Sequence, residues 1–301
     1  MSQEIQQVAK VLAILDSESV QDKILSALLP IYGNDIEKVK PIAVAEALEY
    51  KRVLSLLKAE DLIKIPAAEI QRVAISAAAT GLSWAQEERN FWVMPQYVGG
   101  KMCLDWQVSP YGETTMRIKQ GIIKRLSGPF IIYEGDKVTN INYSKATIDH
   151  EPAFPPNPKA KVIGVYSFII LPDGTKELRL LHQVNFDRLA NASRKKNTPR
   201  DATKVVAGKE YANALYFSHN GGIDPGFAEA KCIKHGYKGL PKCKRFGAFA
   251  NVKFATEMDD EEEEVQTQEQ GYAREAEEHE EVTHPDENQN VEVMKADEDE
   301  F

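Results

Sequence analysis

The residues best suited to chemistry in this chain are cations. Arg194, Lys195, Lys196, Arg200, Lys204 and Lys209 form one group, and Lys231, Lys234, Lys238, Lys242, Lys244 and Arg245 form a second. Tyr211, Tyr216, Phe217, Phe227, Tyr237, Phe246 and Phe249 are interleaved with them. Cations that follow a sugar–phosphate chain, beside rings on which bases stack, are the means by which proteins hold single strands. Each neutralised phosphate releases condensed counterions, so a concentrated basic stretch attracts polyanions. Lys231, Lys234 and Lys238 recur at i+3 and i+4, which puts them on one helix face. The plainer alternative is a solvated helix face with its rings in the core, so the lysines carry more of the argument than the aromatics.

The net charge of −9 over 301 residues conceals this asymmetry. Residues 185–253 hold 14 bases and 5 acids, whereas residues 257–301 hold 20 acids and 2 bases. Residues 1–184 are neutral, with 21 of each sign. The acidic segment, with its unbroken run Asp259 to Glu264, cannot bury enough surface to offset its ordering entropy and is expected to be disordered. Hydrophobic residues, at 43%, suffice for a core, yet no apolar run approaches the ~18–20 residues of a bilayer span. Residues 1–20 lack the basic-then-apolar pattern of a signal peptide. Three cysteines, Cys103, Cys232 and Cys243, fit a reducing compartment.

Other chemistry is weaker. Gly208-Lys209 is followed by Glu210 and Gly100-Lys101 by Met102, so the phosphate cradle and Mg²⁺-binding hydroxyl of a nucleotide-hydrolysing loop are missing. Asp149-His150-Glu151, with Glu134 and Asp136, has the residue types of a metal or acid–base site. Neighbours in a strand face opposite ways, however, and a polar loop entry before Pro152 is the expected reading. A metal-dependent nuclease built on Asp149, Asp173 and Glu177 places Arg179 where a lysine should stand and needs a tight turn at Pro172-Asp173-Gly174 to hold the metal. His219, Cys232, His235 and Cys243 supply zinc-type ligands at irregular spacing, without a repeated pair unit.

The elements that must position the cations follow from periodicity. Residues 4–81 read as helices: Ile5, Val8, Leu12 and Leu15 recur at helical spacing, Pro66 suits a first turn, and Gly81 suits a left-handed terminator. Phe91 to Val98 and Lys101 to Val108 flank Gly99-Gly100, a hairpin signal. Pro110 and Tyr111-Gly112 read as a break, with a short helix over Glu113 to Gln120. Ile122 to Tyr133 and Lys137 to Tyr143 flank the Glu134-Gly135-Asp136 turn, and Val162 to Leu171 and Lys176 to Val184 flank the next. These runs predict one antiparallel sheet of about five or six strands. Phe186 to Ala192 reads as a helix, Arg194 to Arg200 as a basic loop, Asp201 to Phe217 as a second helix and Pro225 to His235 as a third. The expected architecture is α+β: an N-terminal helical region over 1–81, a core over 82–256 made of an antiparallel sheet with an embedded helix and basic C-terminal helices, and an acidic tail over 257–301.

The order of short motifs resembles the RecT family of phage and prophage single-strand annealing recombinases, from Ile70 to Pro241. Ala77-Ala78-Ala79-Thr80-Gly81-Leu82 resembles that family's helix ending in Gly-Leu, and Phe91 to Gln96 its first strand. Tyr111-Gly112 and Lys119-Gln120-Gly121 resemble the elements around its embedded helix. Tyr133-Glu134-Gly135-Asp136, His150-Glu151-Pro152, Gly164-Val165-Tyr166 and Asp173-Gly174 resemble its successive turns and strands. Phe227-Ala228-Glu229-Ala230-Lys231, with Lys234 and Leu240-Pro241, resembles its basic helix, although the family has two adjacent lysines where this chain has one. The resemblance implies ATP-independent binding of single-stranded DNA and annealing of complementary strands. It also implies rings or helical filaments of a homo-oligomer, a 5′-to-3′ exonuclease partner and a bacterial cytoplasmic setting. No cofactor is expected, and Mg²⁺ enters only as a counterion of DNA.

Under this reading the two basic groups line a groove. Trp106, Tyr111, Arg117 and Lys119, from the sheet and embedded helix, form its other wall and leave bases free to pair. The terminal Asp297-Glu298-Asp299-Glu300-Phe301 is similar to the acidic tip of bacterial single-strand-binding proteins, without their penultimate proline. It is a candidate for recruiting host repair proteins or for competing with DNA, a plain solubility role being the alternative. The readings from other classes are the nuclease above and an adaptor whose basic stretch binds an acidic partner.

Overall fold

The computed structural model describes residues 3–199, 201–244 and 254. All of them belong to one compact unit, Met1–Asp259. The N-terminal part is helical, as its periodicity requires: α1 (Gln3–Leu12), α2 (Glu18–Leu28), α3 (Ile36–Ser55), α4 (Ala59–Leu62) and α5 (Ala67–Ala78). Val20, Ile24 and Leu28 of α2, Val39, Ala43, Ala47, Tyr50 and Leu54 of α3, and Ile70, Val73, Ala74 and Ala77 of α5 face one another in a single core. The alanines let these helices approach closely. Asp35 caps α3 by accepting from the Lys38 N–H, and Gly81 leaves α5 at φ +68°.

That core does not stop at Gly81. It continues through Trp84 into a two-stranded ribbon, β1 (Phe91–Val98) and β2 (Lys101–Val108), and on to Met116. Tyr50, Trp84, Phe91 and Trp106 form a chain of rings with centroids 4.5, 4.3 and 5.9 Å apart. The ribbon turns on Gly99 and Gly100, at φ +58° and +81°, which side chains with a Cβ rarely adopt.

The embedded helix α6 spans Pro110–Lys119, three residues earlier than its sequence pattern suggests. Ser109 caps it by accepting from the Gly112 N–H, and Pro110 occupies the first turn, where its missing N–H costs nothing. Pro110 therefore starts the helix and does not break it.

The expected single sheet is replaced by three small ones. Beside the β1–β2 ribbon, β3 (Arg125–Tyr133), β6 (Val162–Ile170) and β7 (Lys176–His182) form an antiparallel sheet in the order β3–β6–β7. Among the described residues β4 (Lys137–Asn142) pairs only with β5 (Thr147–Glu151). β3 and β4 flank a tight turn without pairing. Asp136 explains this: its carboxylate accepts from the N–H groups of Tyr133 and Ala153 and lies 3.0 Å from His150 Nε2, which turns β4 towards β5. The segment at Asp149-His150-Glu151 is thus a strand, not a loop entry, with His150 turned inward and its two neighbours exposed.

One face of the three-stranded sheet packs under α7 (Gln183–Asn197) and α8 (Pro225–Gly236): Val162, Val165 and Leu181 meet Phe186, Ala190, Ala228 and Cys232, while Ile169 meets Ile233 and Tyr237. On the other face Ile132, Tyr166, Leu178 and Leu180 pack against Val138, Ala146 and Ile148 of the β4–β5 hairpin. α7 runs through Arg194, Lys195 and Lys196, so these stand on its last turn and not in a loop. The helix expected over Asp201 to Phe217 is absent. Two single 3₁₀ turns, Ala202–Lys204 and Ala214–Tyr216, take its place. Residues 201–210 are all exposed, so no apolar face rewards helix formation there.

Gly112 sits at a close approach between α6 and the start and end of the ribbon. A Cβ at that position would overlap the Asn90 carbonyl oxygen and come within 2.9 Å of Val108 Cγ1. Gly112→Ala is expected to cost about 1–3 kcal/mol of stability, read from the midpoint of urea unfolding, in spite of alanine's better helix propensity.

Candidate nucleic-acid interface

Five of the predicted cations stand on the last turn of α7 or on the segment that is tied to it. Arg194 grips Glu210 with two hydrogen bonds, Nε to Oε1 at 2.9 Å and Nη2 to Oε2 at 2.8 Å. Ser193 Oγ accepts from the Asn213 N–H at 3.0 Å. These bonds tie Glu210 and Asn213, and with them the segment that carries Lys204 and Lys209, to the end of α7 where Lys195 and Lys196 stand, and all four lysines are exposed. Lys204 also lies 3.6 Å from Asp201, and Lys209 stands 5.1 Å from the Tyr211 ring centroid. Cations here also complement the carbonyl end of the α7 dipole. The Arg194 guanidinium, helped by the Ala212 N–H, pulls the Glu210 carboxyl down to about 2.

A second cationic cluster forms at the end of α6. Lys119 is exposed and its Nζ donates to the Gly81 carbonyl at 2.8 Å. The Gln120 side chain donates to the Lys244 carbonyl and accepts from its N–H, at 3.0 and 2.8 Å, which brings exposed Lys242 and Lys244 to this end. Lys124 and Arg125, exposed at the start of β3, adjoin it in the chain. Sequence reasoning missed these two because they lie in the charge-neutral part of the chain. Their adjacency at a predicted strand start was the available signal.

Other predicted contacts are interior residues. Arg117 is 4% exposed: it bonds Glu113 Oε1 through Nε at 2.8 Å and Nη2 at 2.6 Å, donates to the Pro241 carbonyl at 2.6 Å and lies 4.4 Å from the Tyr237 ring centroid. Lys231, 9% exposed, lies over the rings of Phe227 and Tyr216. Trp106, 7% exposed, belongs to the N-terminal core. Tyr111 is half-buried. Its hydroxyl donates to Glu229 at 2.9 Å, and burial together with that carboxylate raises its pKa to about 12. Lys234 and Lys238 are half-buried. The lysine face of α8 is therefore largely packed, and the groove wall expected from it is not an open row of cations. Arg200, Arg245 and the tip Asp297, Glu298, Asp299, Glu300 and Phe301 lie outside the described residues.

The carboxylates of the nuclease reading face separate partners. Asp173 accepts from the Thr175 N–H of its own turn, Glu177 pairs with Arg179, and Asp149 bonds Asn140. Among the described residues no three His, Cys, Asp or Glu side chains gather as metal ligands. Cys232 is packed under β6, 3.5 Å from Ser167 Oγ, and burial pushes its thiol up to about 12, so it stays protonated. One further feature was not legible in the sequence: an open cavity of about 460 Å³ between the end of α3 and β1, lined by Val53, Leu56, Trp84, Phe91, Trp92 and Tyr111 among others. No described helix is long and apolar enough to cross a membrane. No family model matches the chain, and no curated protein matches it.

Two expectations follow from the ion pairs. Arg117→Ala leaves the buried Glu113 carboxylate uncompensated and should cost about 3–5 kcal/mol in denaturant unfolding, whereas Arg117→Met with Glu113→Leu should recover most of that loss. Glu210 has a folded-state pKa below its ordinary value of 4.5, so its contribution is complete above pH 4.5 and is lost as pH falls through about 2. An NMR titration should place the Glu210 carboxyl midpoint near 2, and Glu210→Gln should speed tryptic cleavage at Lys204 and Lys209 severalfold at neutral pH.

Proposed function

We propose that this protein binds single-stranded DNA and anneals complementary strands without nucleotide hydrolysis, as a homo-oligomer, in the manner of the RecT family. The observation that carries this reading is the exposed patch of Lys195, Lys196, Lys204 and Lys209, held together by the Arg194–Glu210 grip. Such a patch neutralises phosphates without reading sequence. Base pairing between the strands supplies specificity, while the protein contributes charge neutralisation and alignment. The second cluster, Lys119, Lys242 and Lys244 with Lys124 and Arg125, extends the cationic surface. The ordered motifs from Ile70 to Pro241 support the same class.

No covalent step is needed, and Mg²⁺ serves only as a counterion. A 5′-to-3′ exonuclease that exposes single strands, and host single-strand-binding or repair proteins, are the partners this chemistry calls for. The nuclease alternative is disfavoured by the dispersal of Asp149, Asp173 and Glu177. The adaptor alternative uses the same cations to bind an acidic partner.

Complementary oligonucleotides should anneal faster with the protein, equally well with and without ATP, and labelled DNA should stay intact in Mg²⁺ or Mn²⁺. Replacing Lys195, Lys196, Lys204 and Lys209 with alanine should weaken single-strand binding and lower the slope of log affinity against log salt by about 0.7 for each phosphate left without its cation. An unchanged slope would remove these lysines from the interface, and failure to retain single strands at low salt would remove the function.

A further inference from the structure

We infer that the uncovered half of the outer face of the β3–β6–β7 sheet is a stacking platform for unpaired nucleobases, with Phe130 as the stacking ring and Arg125 and Lys176 as phosphate contacts. The inference rests on the single-strand reading above and assigns to it a sheet surface that shares only Arg125 with the second cationic cluster.

Strand register defines the face. Residues paired across strands point the same way, and successive same-face rows are two residues apart. Arg125, Ile170 and Lys176 form one row. Ser127, Phe168 and Leu178 form the next, and Phe130, Tyr166 and Leu180 the third, after a bulge. The β4–β5 hairpin covers the far side of this face through Leu178, Leu180, Tyr166 and Ile132. Phe130 remains 41% exposed, and Arg125 and Lys176 are exposed at the near rim.

Two properties select the occupant. First, the rings are connected and held. Phe130 lies 5.1 Å from the Tyr166 centroid, and Tyr166 lies 5.6 Å from Phe168. Gly128, at φ +95°, passes so close beneath the Phe130 ring that a Cβ would stand 2.8 Å from it, so backbone as well as Tyr166 fixes the ring. A pre-positioned ring loses little freedom when a base stacks on it. Second, the charge within the rows is of one sign, and the Asp173 carboxylate in the adjoining β6–β7 turn is engaged by the Thr175 N–H of its own turn. The three rows contain no carboxylate, and neither Arg125 nor Lys176 takes a carboxylate partner among the described residues. Lys176 Nζ sits 3.6 Å from the Phe168 centroid, which holds the cation on the face itself. Glu177, the nearest carboxylate along β7, points to the opposite face and pairs with Arg179. An apolar partner helix would gain nothing from a rim of two cations. A polyanion with flat bases would use both the rim and the ring.

The platform also continues a surface already described. Arg125 follows Gln120, which holds Lys244, by five residues. A strand leaving the cluster at the end of α6 would meet the sheet rim next.

The test compares two probes in fluorescence anisotropy, an oligo-dT and an abasic deoxyribose-phosphate chain of equal length. Wild-type protein should prefer oligo-dT. Phe130→Leu, which keeps apolar volume without a π-face, should weaken oligo-dT binding by about five-fold or more and leave the abasic probe unchanged. Phe130→Trp should retain the preference, and Lys176→Gln should weaken both probes alike. Photocrosslinking with a 5-iododeoxyuridine oligonucleotide should label Phe130, which keeps the proposal open to refutation even if a variant folds poorly. Equal wild-type affinity for the two probes, or a preference untouched by Phe130→Leu, overturns the platform alone. A change in self-association without a change in binding makes the face a contact between copies and also overturns it. Binding of neither probe by wild-type protein overturns the function together with the platform.

Discussion

The interior guanidinium of Arg117 is the constraint on which the arrangement of this molecule depends. Its neighbour Met116 lies in the core of the N-terminal helices and the β1–β2 ribbon. Ile123, just beyond the helix, lies in the core of β6 and α8, and Ile122 before it packs against both cores. Arg117 itself reaches across to the Pro241 carbonyl and the Tyr237 ring at the end of α8. Taking a charge out of water costs several kcal/mol, and only a full set of hydrogen bonds offsets it. Glu113, Pro241 and Tyr237 provide that set in one geometry. A slipped α6 would strand the charge, so the contact specifies how the two cores meet more than it adds to net stability.

From that joint the location of surface charge follows. The sheet buries one face under α7 and α8, and α8 is buried along much of its length. A lysine on such a helix must lay its stem along apolar neighbours, as Lys231 does over Phe227 and Tyr216. Exposed cations are left at the carbonyl ends of α6 and α7 and in the segment beyond α7, where helix dipoles favour positive charge. The basic character visible in the composition is therefore divided between packing and solvent: α8 keeps much of its share in the interior, while the ends of α6 and α7, the segment beyond α7 and the rim at Arg125 and Lys176 carry exposed cations.

What could be read from the sequence was what local chemistry decides. Gly99-Gly100 announces its hairpin because both positions need positive φ, and the register runs from Val98 opposite Lys101 as the pattern requires. Pro225 to His235 and residues 4–81 show their helical periods plainly. Pairing across long separations was not legible. β3 chooses β6 over β4 because of Asp136, whose bonds to Tyr133, Ala153 and His150 join residues up to 17 apart. Pro110 misled because a proline that breaks one element also starts another. The helix expected over Asp201 to Phe217 failed because Val205, Val206 and Leu215 have no core to face, and all three are exposed. At the candidate site, charge pointed to a set of cations but not to which of them are interior. The Glu113–Arg117 spacing of i, i+4 was the one local hint that Arg117 was already engaged.

The grip of Arg194 on Glu210 is solvent-exposed, with 41% and 46% of the two side chains accessible. Mobile ions screen an attraction of this kind just as they screen contacts with a polyanion, over a Debye length near 8 Å at physiological ionic strength. Added salt therefore loosens the arm that carries Lys204 and Lys209, and under the proposed function it would compete for their counter-charges at the same time. Ionic strength becomes a determinant of this surface's shape, and under the proposed function an affinity measured at one buffer composition would describe only one of its conformational mixtures.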